Sequence, residues 1–289
     1  MAGTEWLDRS EYPFKSNYLQ LPMGKMHYVD EGQGPVILMV HGNPTWSFVY
    51  RHLIKGLSPK FRCVAPDLIG FGLSDKPYDW SYLPKDHAAN LEAFIAALGL
   101  RDITLVVQDW GGPIGMSHAV NHPENVKNLV ILNTWMWSVK GDPHYEKFSN
   151  FAGGPFGRFL IRYFNFFAKN VMKMATADYS KLKPVHAQYT RALATTKDRK
   201  GSWVFPRQIT WSSEWLDGLW QKSAAIKDKP ALLLWGMKDI AFREIELNRW
   251  TALLPNHTVF RFDNVGHFAQ EEKGAELVPL VQEFMEKNR

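Results

Sequence analysis

The sequence predicts an α/β protein whose mainly parallel sheet is covered by helices on both faces. Short runs of β-type composition alternate with helical stretches along most of the chain, and parallel strands need such helical crossovers. One stretch, 134–213, breaks this alternation, because it shows helical spacing and no clear strand. A chain of 289 residues is long enough for one large domain that carries such an insertion.

The predicted strands and helices follow one another in a regular order. Two strands, 26–30 and 36–40, are joined by a glycine-containing turn over 31–34. Further strands are predicted over 62–65, 103–108, 126–132, 231–235 and 257–262. Helices are predicted near 48–57, within 86–98, from 111 to about 122, around 243–253 and over 272–287. The carboxyl ends of the parallel strands then share one edge of the sheet, where such folds bind ligands.

The interrupting stretch is predicted to form a helical cap over that edge. It is rich in Phe, Tyr, Trp and Lys, and its helical spacing is clearest over 159–174 and 185–193. We therefore expect a core domain made of 1–133 and 214–289 and a cap domain made of 134–213. A cap in this place would exclude water from a site at the strand ends.

Composition and charge argue against several classes of function. The net charge of +5 is spread among acidic residues, and no basic run marks a nucleic-acid tail. The single cysteine, Cys63, leaves no intrachain disulfide and no zinc cluster. The first fifteen residues contain no apolar signal segment, and the longest apolar runs are too short to span a bilayer. We therefore predict a cytoplasmic protein with no membrane or nucleic-acid partner.

The strongest chemical signal is the run Val107-Gln108-Asp109-Trp110-Gly111-Gly112, where a buried strand meets glycines and a helix. It resembles the nucleophile elbow of α/β-hydrolases, with aspartate in place of the usual serine. A carboxylate is anionic at neutral pH and can displace a leaving group from a saturated carbon, which makes an ester on the enzyme. The structural alternative for Asp109 is an N-cap of the following helix.

A base and an acid follow Asp109 in the chain order of α/β-hydrolases. His267 lies in a Gly-His-Phe loop after the last predicted strand, and Asp239 lies just after the strand 231–235. In that order the acid would orient the imidazole of the histidine. Asp239 could instead be an ordinary turn residue after Gly236. Asp263, four residues before His267, is a rival for the acid.

The segment that follows strand 36–40 carries a possible anion site. The sequence from His41 to Pro44 resembles the oxyanion loop of α/β-hydrolases, whose backbone N–H groups would here belong to Asn43 and Trp110. The side chains of Asn43 and Trp110 also offer neutral N–H donors. Two neutral donors that point to one place suit a departing halide ion, because hydrogen bonds to an anion are stronger than neutral ones.

Together these loops resemble those of the haloalkane dehalogenases over the core ranges 16–133 and 214–289. The resemblance implies an α/β-hydrolase fold with a mostly parallel eight-stranded sheet and a helical cap. It implies Asp109 as nucleophile, His267 as base, Asp239 as acid, and Asn43 with Trp110 as halide-binding pair. It implies hydrolysis of a small apolar haloalkane with water to an alcohol, a halide ion and a proton, with no cofactor and no metal.

Two departures narrow the resemblance to one branch of the family. Some members carry a glutamate acid after the sixth strand, but this chain reads Leu132-Asn133-Thr134 there and must use Asp239. Other members use a cap tryptophan as second halide donor, but no tryptophan occurs between Ser138 and Ser202. The chain resembles the subfamily with an Asn/Trp halide pair and an Asp acid, whose members can self-associate. Trp135 and Trp137 are candidates for the cavity wall.

Several alternative functions stay open at this point. An epoxide hydrolase shares the aspartate nucleophile and protonates its leaving group with cap tyrosines, for which Tyr163, Tyr179 and Tyr189 are available. That function leaves Trp110 and Asn43 unexplained. A fluoroacetate-type dehalogenase would need a cation, and no arginine adjoins Asp109; an esterase lacks its serine. A non-catalytic ligand-binding hydrolase fold is the alternative from another class.

Overall fold

A computed structural model describes residues 5–288 and places one mixed sheet at the centre of the molecule. Its eight strands within the described residues lie in the order β1-β2-β4-β3-β5-β6-β7-β8. They are β1 Asn17–Leu21, β2 Gly24–Glu31, β3 Val36–Val40, β4 Arg62–Pro66, β5 Ile103–Val107, β6 Val126–Leu132, β7 Ala231–Gly236 and β8 His257–Phe262. The pairs β1/β2 and β2/β4 are antiparallel and all the others are parallel. Every residue of β5 and β7 is buried, as a sheet covered on both faces requires.

The predicted mainly parallel sheet is confirmed, and β1 is a strand that the residue patterns did not reveal. From Asn17 to Gln20 its residues alternate between half-buried and exposed, because the strand lies at the edge of the sheet and pairs only with β2. Cys63 lies buried and free in β4.

Thirteen α-helices occur within residues 5–288. They are α1 Arg51–Leu57, α2 Pro84–Ala97, α3 Gly111–Asn121, α4 Pro143–Gly153, α5 Pro155–Phe164, α6 Met172–Ala175, α7 Tyr179–Leu182, α8 His186–Ala192, α9 Lys200–Trp211, α10 Ser213–Gln221, α11 Glu244–Leu253, α12 Ala269–Glu272 and α13 Leu277–Lys287. No helix of the described residues is long and apolar enough to cross a membrane.

Two predicted helices are broken in the structure. The helix predicted over 272–287 is split between α12 and α13, where Gly274 has a left-handed φ of +48°. The helix predicted over 159–174 ends with α5, because Asn165 adopts the left-handed conformation that commonly terminates a helix. A π-helical turn, Phe167–Val171, then leads into α6.

Helices α4 to α9 lie between β6 and α10, and α10 precedes β7, so they form the insertion in the alternating pattern. The stretch 134–213 contains no strand. Residues of α4, α6 and α9 line a cavity together with Asp109 and His267, which follow core strands. The insertion therefore lies over the carboxyl ends of the strands.

Candidate active site

Asp109 occupies a sharp turn between β5 and α3. Its backbone φ is +51°, a value that residues other than glycine seldom adopt. Its N–H donates to the Asn133 carbonyl at 3.0 Å. Two residues that pack closely around this turn, Gly42 and Gly111, have no room for a Cβ. A Cβ on Gly42 would lie 2.2 Å from Asp109 Oδ1, and one on Gly111 would lie 2.0 Å from the Val40 carbonyl oxygen. The turn thus projects the carboxylate into the cavity at the cost of local backbone strain.

The structure brings Asp109, Asp239 and His267 together. His267 Nδ1 donates to Asp239 Oδ2 at 2.9 Å, and His267 Nε2 lies 3.6 Å from Asp109 Oδ2. Asp239 is fully buried at its side chain, whereas Asp263 is exposed. Of the two candidate acids, only Asp239 therefore contacts the imidazole.

Burial and neighbouring charges shift the pKa values of the Asp109 and His267 side chains. Burial raises the pKa of the Asp109 carboxyl, although His267 and the backbone N–H groups of Trp110 and Asn43 oppose this rise. Burial lowers the pKa of the His267 imidazole, but the carboxylates of Asp239 and Asp109 outweigh it and raise the pKa overall. The two groups stabilise each other's charged forms.

The two predicted anion donors lie at the Asp109 end of the cavity. The backbone N–H of Asn43 donates to Asp109 Oδ1 at 2.7 Å. The Asn43 side chain donates from Nδ2 to the Ser202 carbonyl at 3.3 Å, which ties the loop to α9. The indole of Trp110 stacks on Phe205 with ring centroids 5.0 Å apart and meets Trp135 edge-on at 4.7 Å.

The cavity around these groups is mostly apolar and holds about 120 Å³ of free volume. Its wall includes Trp135, Phe148, Phe167, Met172, Ile209 and Phe242. Trp137, the other candidate for the wall, instead packs against Trp220 and Trp250.

The tyrosines named for the epoxide alternative do not line this cavity. Tyr163 is half exposed, Tyr179 shares a hydrogen bond with His186 Nδ1, and Tyr189 donates to Glu271. The tyrosine that does line the wall is Tyr145. A pair of phenol donors at the leaving group, which that alternative would use, is not formed by these residues.

Gln108 is a residue of the site that sequence reasoning missed. Its Nε2 donates to His267 Nε2 at 2.8 Å and to the His267 carbonyl at 3.2 Å. The carbonyl accepts only, so this second contact fixes which end of the amide faces the imidazole. A signal was present, because Gln108 is a polar residue at the end of the apolar run of β5.

Comparison with known proteins identifies the fold family of this chain. Residues 35–274 match the model of the alpha/beta hydrolase fold, so the chain belongs to that family. Haloalkane dehalogenase 2 of Mycobacterium tuberculosis is 39% identical over 278 residues, which is 96% of each chain. Within the fold family, the chain therefore belongs to the haloalkane dehalogenases.

Solved structures and a second group of relatives complete the comparison. The structure of a putative ancestral haloalkane dehalogenase superposes with a TM-score of 0.82 at 27% identity, covering 93% of this chain and 99% of that one. A haloalkane dehalogenase from Agrobacterium tumefaciens gives 0.83 at 25% identity, covering 95% and 97%. A cis-3-alkyl-4-alkyloxetan-2-one decarboxylase of Shewanella oneidensis is 33% identical, covering 94% of this chain and 89% of the relative.

Proposed function

We propose that this protein hydrolyses haloalkanes through an ester formed on Asp109. The observation that carries the proposal is the environment of that one carboxylate. Asn43 N–H holds Oδ1 at 2.7 Å, while Oδ2 faces His267 Nε2 at 3.6 Å. Oδ1 thus accepts from a backbone N–H, as an oxygen in an oxyanion hole would, and Oδ2 lies beside the imidazole and the apolar cavity.

The first step is a displacement at the halogen-bearing carbon. Asp109 Oδ2 forms the new C–O bond, and the halide leaves with the electron pair of the C–X bond. The side-chain N–H groups of Trp110 and Asn43 stabilise the departing ion. Since these hydrogen bonds strengthen as charge develops on the halogen, they lower the barrier more than they stabilise the bound substrate.

The second step hydrolyses the ester. His267 takes a proton from a water molecule, Asp239 stabilises the resulting imidazolium, and the hydroxide attacks Cγ of Asp109. The negative charge then develops on Oδ1, which the backbone N–H of Asn43 already contacts in the free protein. Collapse of this intermediate releases the alcohol and restores the carboxylate, and the imidazolium loses its proton.

Replacement of the base separates the two steps. In His267→Phe the displacement should proceed and the hydrolysis should stall, because nothing activates the water. Mass spectrometry after exposure to 1,2-dibromoethane should show an alkyl adduct on Asp109, with one halide ion released per enzyme molecule. His257→Phe, a histidine on β8 away from the cavity, serves as control and should turn over normally. An unmodified Asp109 with normal turnover in His267→Phe would refute the scheme.

Decarboxylation of a β-lactone is a second candidate function. Two relatives with that name are 33% and 32% identical over almost the whole chain. The same groups suit this chemistry, because Asp109 could open the ring at its alkyl carbon and the leaving group would be a carboxylate anion. Loss of CO₂ would then form the alkene as the Asp109 carboxylate departs. This route consumes no water.

The two functions differ in their products and in their need for His267. 1-Bromobutane and a cis-3,4-dialkyloxetan-2-one should be tested in parallel, with bromide release and alkene formation as readouts. Bromide release supports the dehalogenase. Alkene formation without bromide release, and retained in His267→Phe, would support the decarboxylase instead.

We infer a core domain of 1–133 and 214–289, a cap domain of 134–213, and a cytoplasmic location. The partners would be an apolar halogenated substrate, water and halide, without nucleic acid or membrane. Self-association is compatible with the resemblance to the Asn/Trp subfamily.

A further inference from the structure

We propose that Pro206 is a positioning residue, which leaves the Ser202 carbonyl without a helical N–H donor so that this carbonyl can hold the Asn43 side chain. The inference rests on the proposed function, which gives Asn43 the leaving halide. It concerns α9 of the cap, where Pro206 lies inside the helix.

The register of the helix connects Pro206 with Ser202. In an α-helix each N–H donates to the carbonyl four residues earlier, and proline has no N–H to donate. Pro206 therefore cannot serve the Ser202 carbonyl. Asn43 Nδ2 donates to this carbonyl at 3.3 Å in a buried contact between the core and the cap. Helix α4 fixes α9 at this turn, because Ser149 Oγ of α4 donates to the Pro206 carbonyl at 2.8 Å.

This contact determines which end of the Asn43 amide can face an anion. The carboxamide has two N–H donors and one oxygen, and Asn43 Oδ1 is buried without a hydrogen bond. A rotated amide would put Oδ1 against the Ser202 carbonyl, where two acceptors repel each other. With one N–H bound by Ser202, the NH₂ end stays fixed and its second N–H remains available for halide.

The same turn of α9 also supports the other donor. Phe205, the residue before Pro206, stacks on the Trp110 indole with ring centroids 5.0 Å apart. Close packing locks this turn in place, since a Cβ on Gly201 would come within 2.8 Å of the Phe71 ring. One helical turn of the cap therefore positions both side chains that we assign to the halide.

Pro206 also lines the cavity, so its role in the wall must be separated from its missing N–H. Pro206→Ala and Pro206→Val both restore the N–H, and valine keeps much of the volume of proline. If the missing N–H matters, both variants should bind bromide about fivefold more weakly, as loss of one hydrogen bond predicts. Bromide affinity is measured by quenching of tryptophan fluorescence. In an Asn43→Ala background, Pro206→Ala should have no further effect.

Thermal stability gives a readout that a purely structural role would not reproduce. A restored helical hydrogen bond should raise the melting temperature of Pro206→Ala while its bromide affinity falls. Pro155→Ala is the matched control, because Pro155 is the first residue of α5 and its missing N–H releases no carbonyl of that helix. We expect unchanged bromide affinity in this control.

The outcomes separate this inference from the proposed function. Wild-type protein that neither binds bromide nor releases it from 1-bromobutane overturns the proposed function, and the role of Pro206 with it. Wild-type protein that does both, with unchanged affinity in Pro206→Ala and Pro206→Val, overturns the role of Pro206 alone. So does a loss of affinity that persists in the Asn43→Ala background, or one confined to Pro206→Ala.

Discussion

At the scale of single residues, His267 lies between groups with opposite effects on its protonation. The carboxylates of Asp239, Asp109 and Glu272 stabilise the imidazolium and raise the pKa of His267, whereas burial opposes them. Gln108 donates an N–H to Nε2 at 2.8 Å, a contact that only the neutral imidazole can accept. Gln108 therefore stabilises the neutral imidazole, and its N–H has to leave Nε2 when the attacking water donates to the same lone pair.

Removal of this donor should make the hydrolysis step more sensitive to acid. In Gln108→Leu the neutral imidazole loses a hydrogen bond, so the pKa of His267 rises and the acidic limb of the pH–rate profile moves to higher pH. On that limb the rate should fall about fivefold, the value of one hydrogen bond, whereas the alkaline plateau should not fall, because Nε2 is then free to accept from water. The profile is measured by rapid quench of the alkyl-enzyme.

A buried polar residue of β5, the strand that directly precedes Gln108, supplies the control for Gln108→Leu. Thr104 accepts a hydrogen bond from Asn128 at 3.1 Å and does not contact His267. Thr104→Val should therefore lower stability without moving the acidic limb. A pH profile that moves equally in both variants would assign the effect to general destabilisation.

At the scale of elements, the turn between β5 and α3 depends on close approach of β3. A Cβ on Gly111 would lie 2.0 Å from the Val40 carbonyl oxygen, and backbone atoms at the end of β3 cannot move aside cheaply. We expect Gly111→Ala to lower the free energy of unfolding by about 1–3 kcal/mol, as other overpacked sites do. Displacement of Asp109 should also slow alkylation by about 100-fold.

Urea unfolding and single-turnover alkylation check both parts of this prediction. Gly218 in α10 is the matched control, because a Cβ there meets nothing within 4 Å. Gly218→Ala should raise the free energy of unfolding by about 0.5–1 kcal/mol, since alanine favours the helix. Normal alkylation by Gly111→Ala would show that the turn tolerates displacement.

At the scale of the whole molecule, a buried ion pair joins three separate regions. Arg51 in α1 forms two hydrogen bonds with Glu271 in α12, at 2.5 and 2.8 Å, and both side chains are almost fully buried. Tyr189 in α8 of the cap donates to the same carboxylate. The cap is thus tied to the core close to His267, only four residues before Glu271.

Loss of the carboxylate should destabilise the fold far more than loss of an exposed one. Glu271→Gln removes the buried partner of the Arg51 charge and leaves it only the more exposed Glu11 at 3.1 Å, so the free energy of unfolding should fall by about 3–5 kcal/mol. Glu276→Gln removes an exposed partner of Lys273 and should change it by about 1 kcal/mol or less. Denaturant titration measures both, and similar values for the two variants would contradict the role of the buried pair.

The sequence by itself determined the fold class and the order in which Asp109, Asp239 and His267 appear. Both conclusions rest on local properties, namely the alternation of apolar runs and a glycine-bounded turn after a buried strand. Family membership, inferred from the same loops, is confirmed by relatives that match along 96% of the chain. Local pattern failed at β1, where an edge strand is too exposed to show a core-facing run.

Only the tertiary structure decided which side chains meet. Of the two candidate acids, Asp263 is closer to His267 in sequence but is exposed, whereas Asp239 reaches Nδ1 from 28 residues away. The contacts of Gln108 with His267 and of Asn43 with Ser202 each join residues 159 apart. Such contacts depend on how the cap and the loops pack on the sheet, and no local pattern encodes that packing, because it is set by the combined shapes of distant segments.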